Sequence, residues 1–566
     1  MDVTRGEQAM GPGADGAQAG ASPRTVRDAT FDVLRRLGLT TLFSNPGSTE
    51  VPFLAGLPDD LEFVLGLHEG AVVGMAAGYA IGRGAPALVL LHSTPGLGNA
   101  VAALATARQN RAPLVVVVGQ QDRRHLAQDP FLAGRLEALA GDYPVLVESP
   151  ARAADVPGAL VRAYWAAVVE RGPAIVVVPM DDWAAAAPED WEIAAPRRLL
   201  VSAAADASVV DELAALVDGA ERVAMVAGAG ADGAAGWAAA QALAERLRCP
   251  VWAEPFGGAA GFPQDHPQFA GHLPARRARL RDVLRGFDLV LVIGTGVLRQ
   301  YPYDSGPLFD DGTVVAVVTQ DPGEARRSVA DLAVVGDPAA VCGALAEAVS
   351  VSGRSSLSSS NGGVASAART LPAAAPPPAL RDGAPLSPAH VLSALAERLP
   401  RDAVVVEETP SSRPELHARL PIAAPGGFVS AMGLLGWALP CSIGLRLARP
   451  DRGVIAVVGD GASLYQILSL WSARQYDAGV VFLVLSNGGY AIMDRLAERS
   501  GAPGPWPSLE SIDICALARA QGVEAIRISD HAALLSSFDE VIPTLAGRTS
   551  PLVVEVVVAP DEHFDP

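Results

Sequence analysis

Residues 454–492 read VIAVVGDGASLYQILSLWSARQYDAGVVFLVLSNGGYAI, and this stretch decides the fold. The run 454–458 is short, apolar and β-branched, which predicts a strand, and Gly459-Asp460-Gly461 ends it. Leu464, Ile467, Leu468 and Trp471 then recur at helical spacing and predict an amphipathic helix. A second buried-strand run, 480–485, closes on Ser486-Asn487-Gly488-Gly489. Strand, helix, strand at this length is a crossover unit, so the two strands should be parallel and end at one edge of the sheet. Neighbouring strands lie about 5 Å apart. Asp460 and Asn487 each follow a strand's carboxyl end and can therefore converge, at the edge where open α/β sheets bind ligands.

A carboxylate at Asp460, an amide oxygen at Asn487 and a main-chain carbonyl at Gly489 are hard oxygen ligands. They suit Mg2+ or Ca2+, and Mg2+ commonly completes its octahedron with phosphate oxygens. The helix expected after Gly461 aims its N-terminus at the same point, which favours an anion. The stretch reads as a metal–diphosphate clamp. On these residues alone the other reading is two glycine-rich turns that bind nothing.

Outward from this stretch, the chain's 566 residues suggest about three or four domains, each with its own core. No apolar run approaches the roughly 20 residues of a membrane span. Four scattered cysteines, Cys249, Cys342, Cys441 and Cys515, form no CxxC pair, so a disulfide framework or zinc site is not expected and a cytoplasmic location fits. The formal charge of −19 argues against nucleic acid as a partner. Residues 1–24 are polar, lack the apolar core of a signal peptide and read as a disordered tail. Strand candidates at 41–43, 63–65, 87–91, 114–118 and 175–178 make residues 25–187 one α/β domain with a parallel sheet. A linker at 188–196 leads to a second α/β unit, 197–350. A Ser-, Gly-, Ala- and Pro-rich segment, 351–386, connects it to a third, 387–560, which holds the clamp. The expected fold is three doubly wound parallel-sheet domains.

Gly459-Asp460-Gly461, followed 27 residues after Asp460 by Asn487, resembles the thiamine diphosphate signature. The resemblance implies that Asp460, Asn487 and the carbonyl of Gly489 hold Mg2+ on the diphosphate of that cofactor. It also implies a pyrimidine-binding domain first, a Rossmann-like middle domain and a diphosphate-binding domain last. The cofactor would bridge the first domain of one subunit and the last domain of another, giving a homodimer at minimum and commonly a homotetramer. Asn45-Pro46-Gly47-Ser48, Leu91-His92-Ser93, Gly96-Leu97-Gly98-Asn99-Ala100 and Pro179-Met180-Asp181-Asp182-Trp183 narrow the likeness to benzoylformate decarboxylases.

That likeness assigns roles residue by residue. Glu69, one residue after His68, resembles the glutamate that shares a proton with the cofactor's aminopyrimidine ring; taken alone, a Glu in the first turn of a helix is a dipole-compensating surface residue. Ser48 would contact the substrate carboxylate, and His92 would handle protons. Gly433 would accept the aminopyrimidine amine, and Leu435 would bend the cofactor. Ser411, Gly461, Ala462, Tyr490, Ala491 and Ile492 complete the expected cofactor contacts. Phe131, Leu132, Val429, Ile492, Met493 and Leu496 fall at substrate-facing positions.

The sequence departs from the family at three places. No histidine stands in 298–304, where benzoylformate decarboxylases carry a second catalytic one; Tyr301 is nearest. Pro410 replaces a hydroxyl residue, leaving Ser411 as the candidate beside the diphosphate. Val429 and Leu496 replace aromatic residues, and Ile492 replaces a small one. The middle domain also carries Gly228-Ala229-Gly230-Ala231-Asp232-Gly233 after a strand, with Glu254 beyond it, which meets the dinucleotide fingerprint. The preferred reading there is a tight turn that, by the resemblance, binds nothing catalytic, although relatives of the acetolactate synthase type hold FAD at that place. The expected activity is thiamine diphosphate- and Mg2+-dependent decarboxylation of a small 2-oxo acid, with carboligation as the alternative. A non-catalytic relative and a dinucleotide-dependent dehydrogenase are further rivals.

Overall fold

In a computed structural model, which describes residues 24–188, 196, 198–350, 376–377, 379–380 and 384–560, three six-stranded parallel sheets follow one another along the chain. Residues 1–23 of the expected tail, most of the linker 188–196 and most of the segment 351–386 lie outside the described residues. The first sheet comprises Thr41–Asn45, Glu62–Leu65, Ala87–Leu91, Leu114–Gln120, Leu146–Glu148 and Pro173–Pro179. The middle sheet comprises Val223–Ala227, Val251–Ala253, Phe269–His272, Leu289–Ile293, Val314–Thr319 and Leu332–Val335. The last comprises Val404–Glu408, Phe428–Ser430, Val454–Gly459, Val481–Ser486, Glu524–Ile528 and Leu552–Val557. Counted along the chain within each domain, the order is 2-1-3-4-6-5 in the first and last sheets and 3-2-1-4-5-6 in the middle one. Both are doubly wound orders, with helices on both faces.

The strands form because their runs are apolar on both sides. Val454, Ala456 and Val458 face one core, while Ile455 and Val457 face another. The same alternation runs through the first sheet, where Val89 and Leu91 oppose Leu88 and Leu90. One of these cores is shared: the helices Glu69–Arg83 and Ala438–Ala448 lie between the first and last sheets and fuse their facing sides. Glycines set that crossing. A Cβ on Gly78 would sit 2.0 Å from the Cys441 carbonyl oxygen, and one on Gly444 1.8 Å from that of Met75.

One expectation fails locally. The helix foreseen after Gly461 is broken into Asp460–Leu464 and Ser469–Gln475, joined by a turn. The buried residues of the second segment are Ser469, Leu470, Ser472 and Ala473, while Leu468 is exposed and Leu464, Ile467 and Trp471 are half-buried. The break rotates the second segment, so the anticipated stripe is not the inward face. The short strand Leu146–Glu148 gave no signal because it is a half-buried sheet edge of three residues. Among the described residues no helix is long and apolar enough to cross a membrane.

Candidate active site

In the order 2-1-3-4-6-5 the chain leaves strands 1 and 3 toward opposite faces, which opens a crevice between their carboxyl ends. In the last domain those ends are Glu408 and Gly459, and strand 4, ending at Ser486, lies beside strand 3 with Gly459 level with Leu485. Asp460 and Asn487 thus meet at adjoining strand ends. Asp460 is buried and accepts from the main-chain N–H of Gly461 at 2.8 Å and of Gly488 at 2.7 Å. Burial nonetheless pushes its carboxyl above the ordinary value, so a cation beside it is the natural counter-charge. The Asn487 side-chain oxygen accepts from Gly489 N at 3.0 Å, which fixes the amide. Two side-chain oxygens and a free glycine carbonyl match an Mg2+ donor set that leaves positions for phosphate oxygens.

This cradle opens on a cavity of about 1450 Å3 between the last and middle domains. Its walls include Ser411, Gly433, Leu435, Asp460, Gly461, Ala462, Asn487, Gly489, Tyr490, Ile492, Met493 and Leu496, a dozen of the positions expected from the sequence. The Ser411 hydroxyl accepts from Ile492 N at 3.1 Å and so ties the turn after strand 1 to the helix Ala491–Arg499. Gly433 has φ +92°, a conformation L side chains resist, and a Cβ there would meet nothing, so its peptide stands open to the cavity. The loop bearing Gly433 and Leu435 is held by Glu408, which accepts from Trp437 N at 2.8 Å and Ala438 N at 2.6 Å. Burial pushes the Glu408 carboxyl up to about 8 against the pull of those donors. Tyr301 also lines the cavity, 47% exposed. Two histidines not foreseen, His272 and His417, stack there with ring centroids 3.9 Å apart. Burial lowers the His417 pKa to about 3 and carries that of His272 well down, so the stack is neutral at pH 7.

The first domain repeats the geometry. Its strands 1 and 3 end at Asn45 and Leu91, and a second polar cluster occupies that crevice. Glu69, only 8% exposed, receives Asn45 Nδ2 at 3.1 Å and Asn99 Nδ2 at 2.9 Å, one amide on each oxygen. His92 Nδ1 lies 3.0 Å from Glu50 Oε2 and 2.8 Å from the Thr49 hydroxyl. The His92 ring lies where a Cβ on Gly47 would be, 2.4 Å away, so only glycine fits the turn. Ser48 is exposed at the rim. Asn45, Asn99, Thr49 and Glu50 were not foreseen as positioning residues, although Asn45 and Asn99 lie within the stretches that carried the resemblance.

The structure does not bring these two clusters together within one chain. Glu69, His92 and Ser48 do not line the cavity, and Gln109 is the first-domain residue that does. Phe131 is 87% exposed and Leu132 half-buried in the loop after the strand Leu114–Gln120, also away from it. Val429 is a correction of another kind. Its place in the strand Phe428–Ser430 sends its side chain into the core with Trp437 and Ala438, not to the cavity wall. Ala491 begins the helix Ala491–Arg499 and is not among the lining residues.

The dinucleotide-like turn is closed from inside. Glu254 accepts from Ala229 N at 3.1 Å and from the Thr295 hydroxyl at 2.7 Å, and a Cβ on Gly228 would strike both side chains. A carboxylate thus packs into the turn and takes the Ala229 N–H.

Comparison with known proteins agrees with this arrangement. Residues 24–136 match the model of the thiamine pyrophosphate enzyme N-terminal TPP binding domain, 210–345 the central domain and 413–556 the C-terminal TPP binding domain. The chain is 39% identical over 552 residues to a benzoylformate decarboxylase of Pseudomonas aeruginosa, covering 96% of this chain and 100% of that protein. It is 26% identical over 560 residues to a glyoxylate carboligase of Escherichia coli O157:H7, covering 94% and 92%. The solved structure of a thiamine diphosphate-dependent 4-hydroxybenzoylformate decarboxylase from Rhodococcus jostii RHA1 superposes with a TM-score of 0.88 at 35% identity, covering 95% of this chain and 100% of that one. Three matched domains, in the order and with the sheet ends that the cradle requires, establish that this chain belongs to the thiamine pyrophosphate enzyme family, beside the benzoylformate decarboxylases.

Proposed function

We propose that the protein decarboxylates a 2-oxo acid without oxidation, releasing CO2 and an aldehyde, with thiamine diphosphate and Mg2+ bound at the cavity. The observation that carries this reading is the oxygen set of Asp460, Asn487 and Gly489, opening on the same cavity as Gly433, Leu435 and Tyr301. When bound, thiamine diphosphate supplies the electron sink for loss of the carboxylate. Asp460 and Asn487 hold the metal, Gly461 and the Ser411 turn line the diphosphate, and Leu435 props the ring system. Glu69 holds a proton for the aminopyrimidine, its two oxygens fixed by Asn45 and Asn99. His92 has Nδ1 committed to Thr49 and Glu50, so a proton moves at Nε2. Ser48 receives the substrate carboxylate. Tyr301 offers a phenol where relatives offer an imidazole, so proton delivery to product is slower.

In this reading the cavity is completed by Glu69, His92, Ser48 and the Phe131–Leu132 turn of a second copy. The protein is then at least a homodimer, with a homotetramer as the expected assembly. Four buried free thiols support a reducing, cytoplasmic setting. Carboligation by the same site is the second reading, supported by the likeness to a glyoxylate carboligase.

Ile492 narrows the space for a ring, and Leu496 offers no stacking face, each worth roughly 1 kcal/mol against a phenyl group. A panel of 2-oxo acids, read by CO2 release and product mass, tests the proposal. Aliphatic or flexible acids are expected to turn over with a higher kcat/KM than benzoylformate. A benzoylformate value about tenfold, or about 1.4 kcal/mol, above every aliphatic acid would overturn the specificity argument. Absence of CO2 release from all of them would overturn the activity.

A further inference from the structure

The strand Val404–Glu408 ends in two buried carboxylates. Successive strand residues face opposite sides of the sheet, so Glu407 and Glu408 leave it in opposite directions. Glu408 meets the N-terminus of the helix Ala438–Ala448, accepting from Trp437 N and Ala438 N. Glu407 is fully buried and stands outside the expected cofactor contacts. Its Oε1 accepts from Thr409 N at 2.7 Å and from Arg413 Nε at 3.2 Å. Its Oε2 accepts from the Ser430 hydroxyl at 2.9 Å and lies 3.0 Å from Arg413 Nη2. The guanidinium thus grips both oxygens, and one carboxylate serves two separate stretches of chain.

Those two stretches are two walls of the cavity. Thr409 opens the turn 409–412, which lines the cavity and carries Ser411. Ser430 leads into the turn that carries Gly433. Its hydroxyl, while donating to Glu407, accepts from Met432 N at 3.2 Å. Met432 has φ +53° and Gly433 φ +92°, so two consecutive residues are left-handed. An L side chain adopts that conformation only where its surroundings impose it, and the Ser430 hydroxyl is part of what holds Met432 there. The main chain of Ser430 is itself pinned by the other two domains. Its N–H donates to the Gly258 carbonyl of the middle domain at 3.0 Å, and its carbonyl accepts from Asn110 Nδ2 of the first domain at 3.2 Å. The brace therefore runs from the Ser411 turn through Glu407 to a point where three domains meet, and on to Gly433.

We propose that Glu407, Ser430 and Arg413 are positioning residues that fix the spacing between the turn 409–412 and the Gly433 turn, so that both ends of thiamine diphosphate are held at once. This rests on the reading that the cofactor binds at this cavity. A ligand gripped at two ends gains the sum of both grips only where their spacing is set before it arrives.

The test uses the full-length protein and calorimetric titration, with Mg2+ present throughout. Inorganic pyrophosphate reports the diphosphate end alone, and thiamine diphosphate reports both ends. The wild-type protein is expected to bind thiamine diphosphate far more tightly than pyrophosphate. Ser430→Ala removes the link to the Gly433 turn and leaves Glu407, Arg413 and Thr409 joined. It should weaken thiamine diphosphate about tenfold or more while leaving pyrophosphate within about twofold. Ser430→Thr keeps the hydroxyl and should restore the cofactor's advantage. Glu407→Gln cannot serve both turns, because an amide offers an acceptor and a donor where the network needs two acceptors. It should weaken both ligands. The melting temperature of the cofactor-free protein is followed for each variant as the check on folding. Unchanged binding of both ligands in Ser430→Ala and Glu407→Gln would overturn the inference. So would an equal loss of both ligands in Ser430→Ala, or an equal loss in Ser430→Ala and Ser430→Thr, either of which would mark ordinary packing. Wild-type protein that binds pyrophosphate and gains nothing from the rest of the cofactor would overturn it while leaving the metal–diphosphate clamp intact. Wild-type protein that binds neither ligand would overturn both readings.

Discussion

Asp460 stands at a strand end, buried, with both oxygens already receiving main-chain N–H groups. Those donors orient it without neutralising it. Asp460→Ala should therefore fold but lose cofactor retention, because the diphosphate would lack its metal counter-charge. Equilibrium dialysis with thiamine diphosphate and Mg2+ reads this directly, and retention equal to wild type would remove Asp460 from the clamp. The triad was legible because its spacing is local: two strand runs, each ended by a glycine-rich turn, fix where Asp460, Asn487 and Gly489 fall. Glu50 was not legible. It meets His92 at 3.0 Å across 42 residues, and nothing in either neighbourhood names the other. The same holds for Asn99, which reaches Glu69 across 30 residues.

Among elements, the crossing of Glu69–Arg83 on Ala438–Ala448 carries the contact between the first and last domains. Gly74, Gly78 and Gly444 let the two backbones touch, with Pro440 and Cys441 filling the space a side chain would need. Gly78→Val places atoms against a main-chain carbonyl, which the helices can relieve only by separating. The expected cost is about 3 kcal/mol or more, read as a fall in Tm of several degrees. Gly343→Ala, in the helix Pro338–Ala348 with nothing near its Cβ, is the control and should be neutral or slightly stabilising. If both variants melt alike, the crossing is not close-packed as described. The helix stripe after Gly461 was misread at this same scale. Apolar spacing identifies a helix but not a turn within it, and the four residues between Leu464 and Ser469 reset the phase.

At the scale of the whole molecule, one chain holds two polar clusters and does not join them: Asp460 and Asn487 face the middle domain across the cavity, and the Glu69–His92 cluster lies outside that cavity. An assembly that pairs the first domain of one copy with the last domain of another predicts complementation. Glu69→Gln and Asp460→Ala chains, each inactive alone, should regain activity when co-expressed. Random pairing would leave about a quarter of the sites intact. Activity no higher than that of either variant alone would place both halves of the site in one chain.

What the sequence determined by itself is the series of buried strands, their parallel pairing and the chemistry at their carboxyl ends. Burial on both faces is written in runs of Val, Ile and Leu, and a crossover helix between two such runs permits only the parallel arrangement. What the tertiary structure decided is which strand ends become neighbours. The order 2-1-3-4-6-5 sets Glu408 beside Val458 and Asn45 beside Leu91. The middle domain's Arg276 and Arg299 reach the last domain's cavity in the same way, and Glu254 closes the turn at Gly228. These meetings depend on how crossovers wind and how domains dock, where each contact is set by residues far apart in the chain. Periodicity reports only the burial of a residue's near neighbours, so it finds the strands and not the partners at their ends.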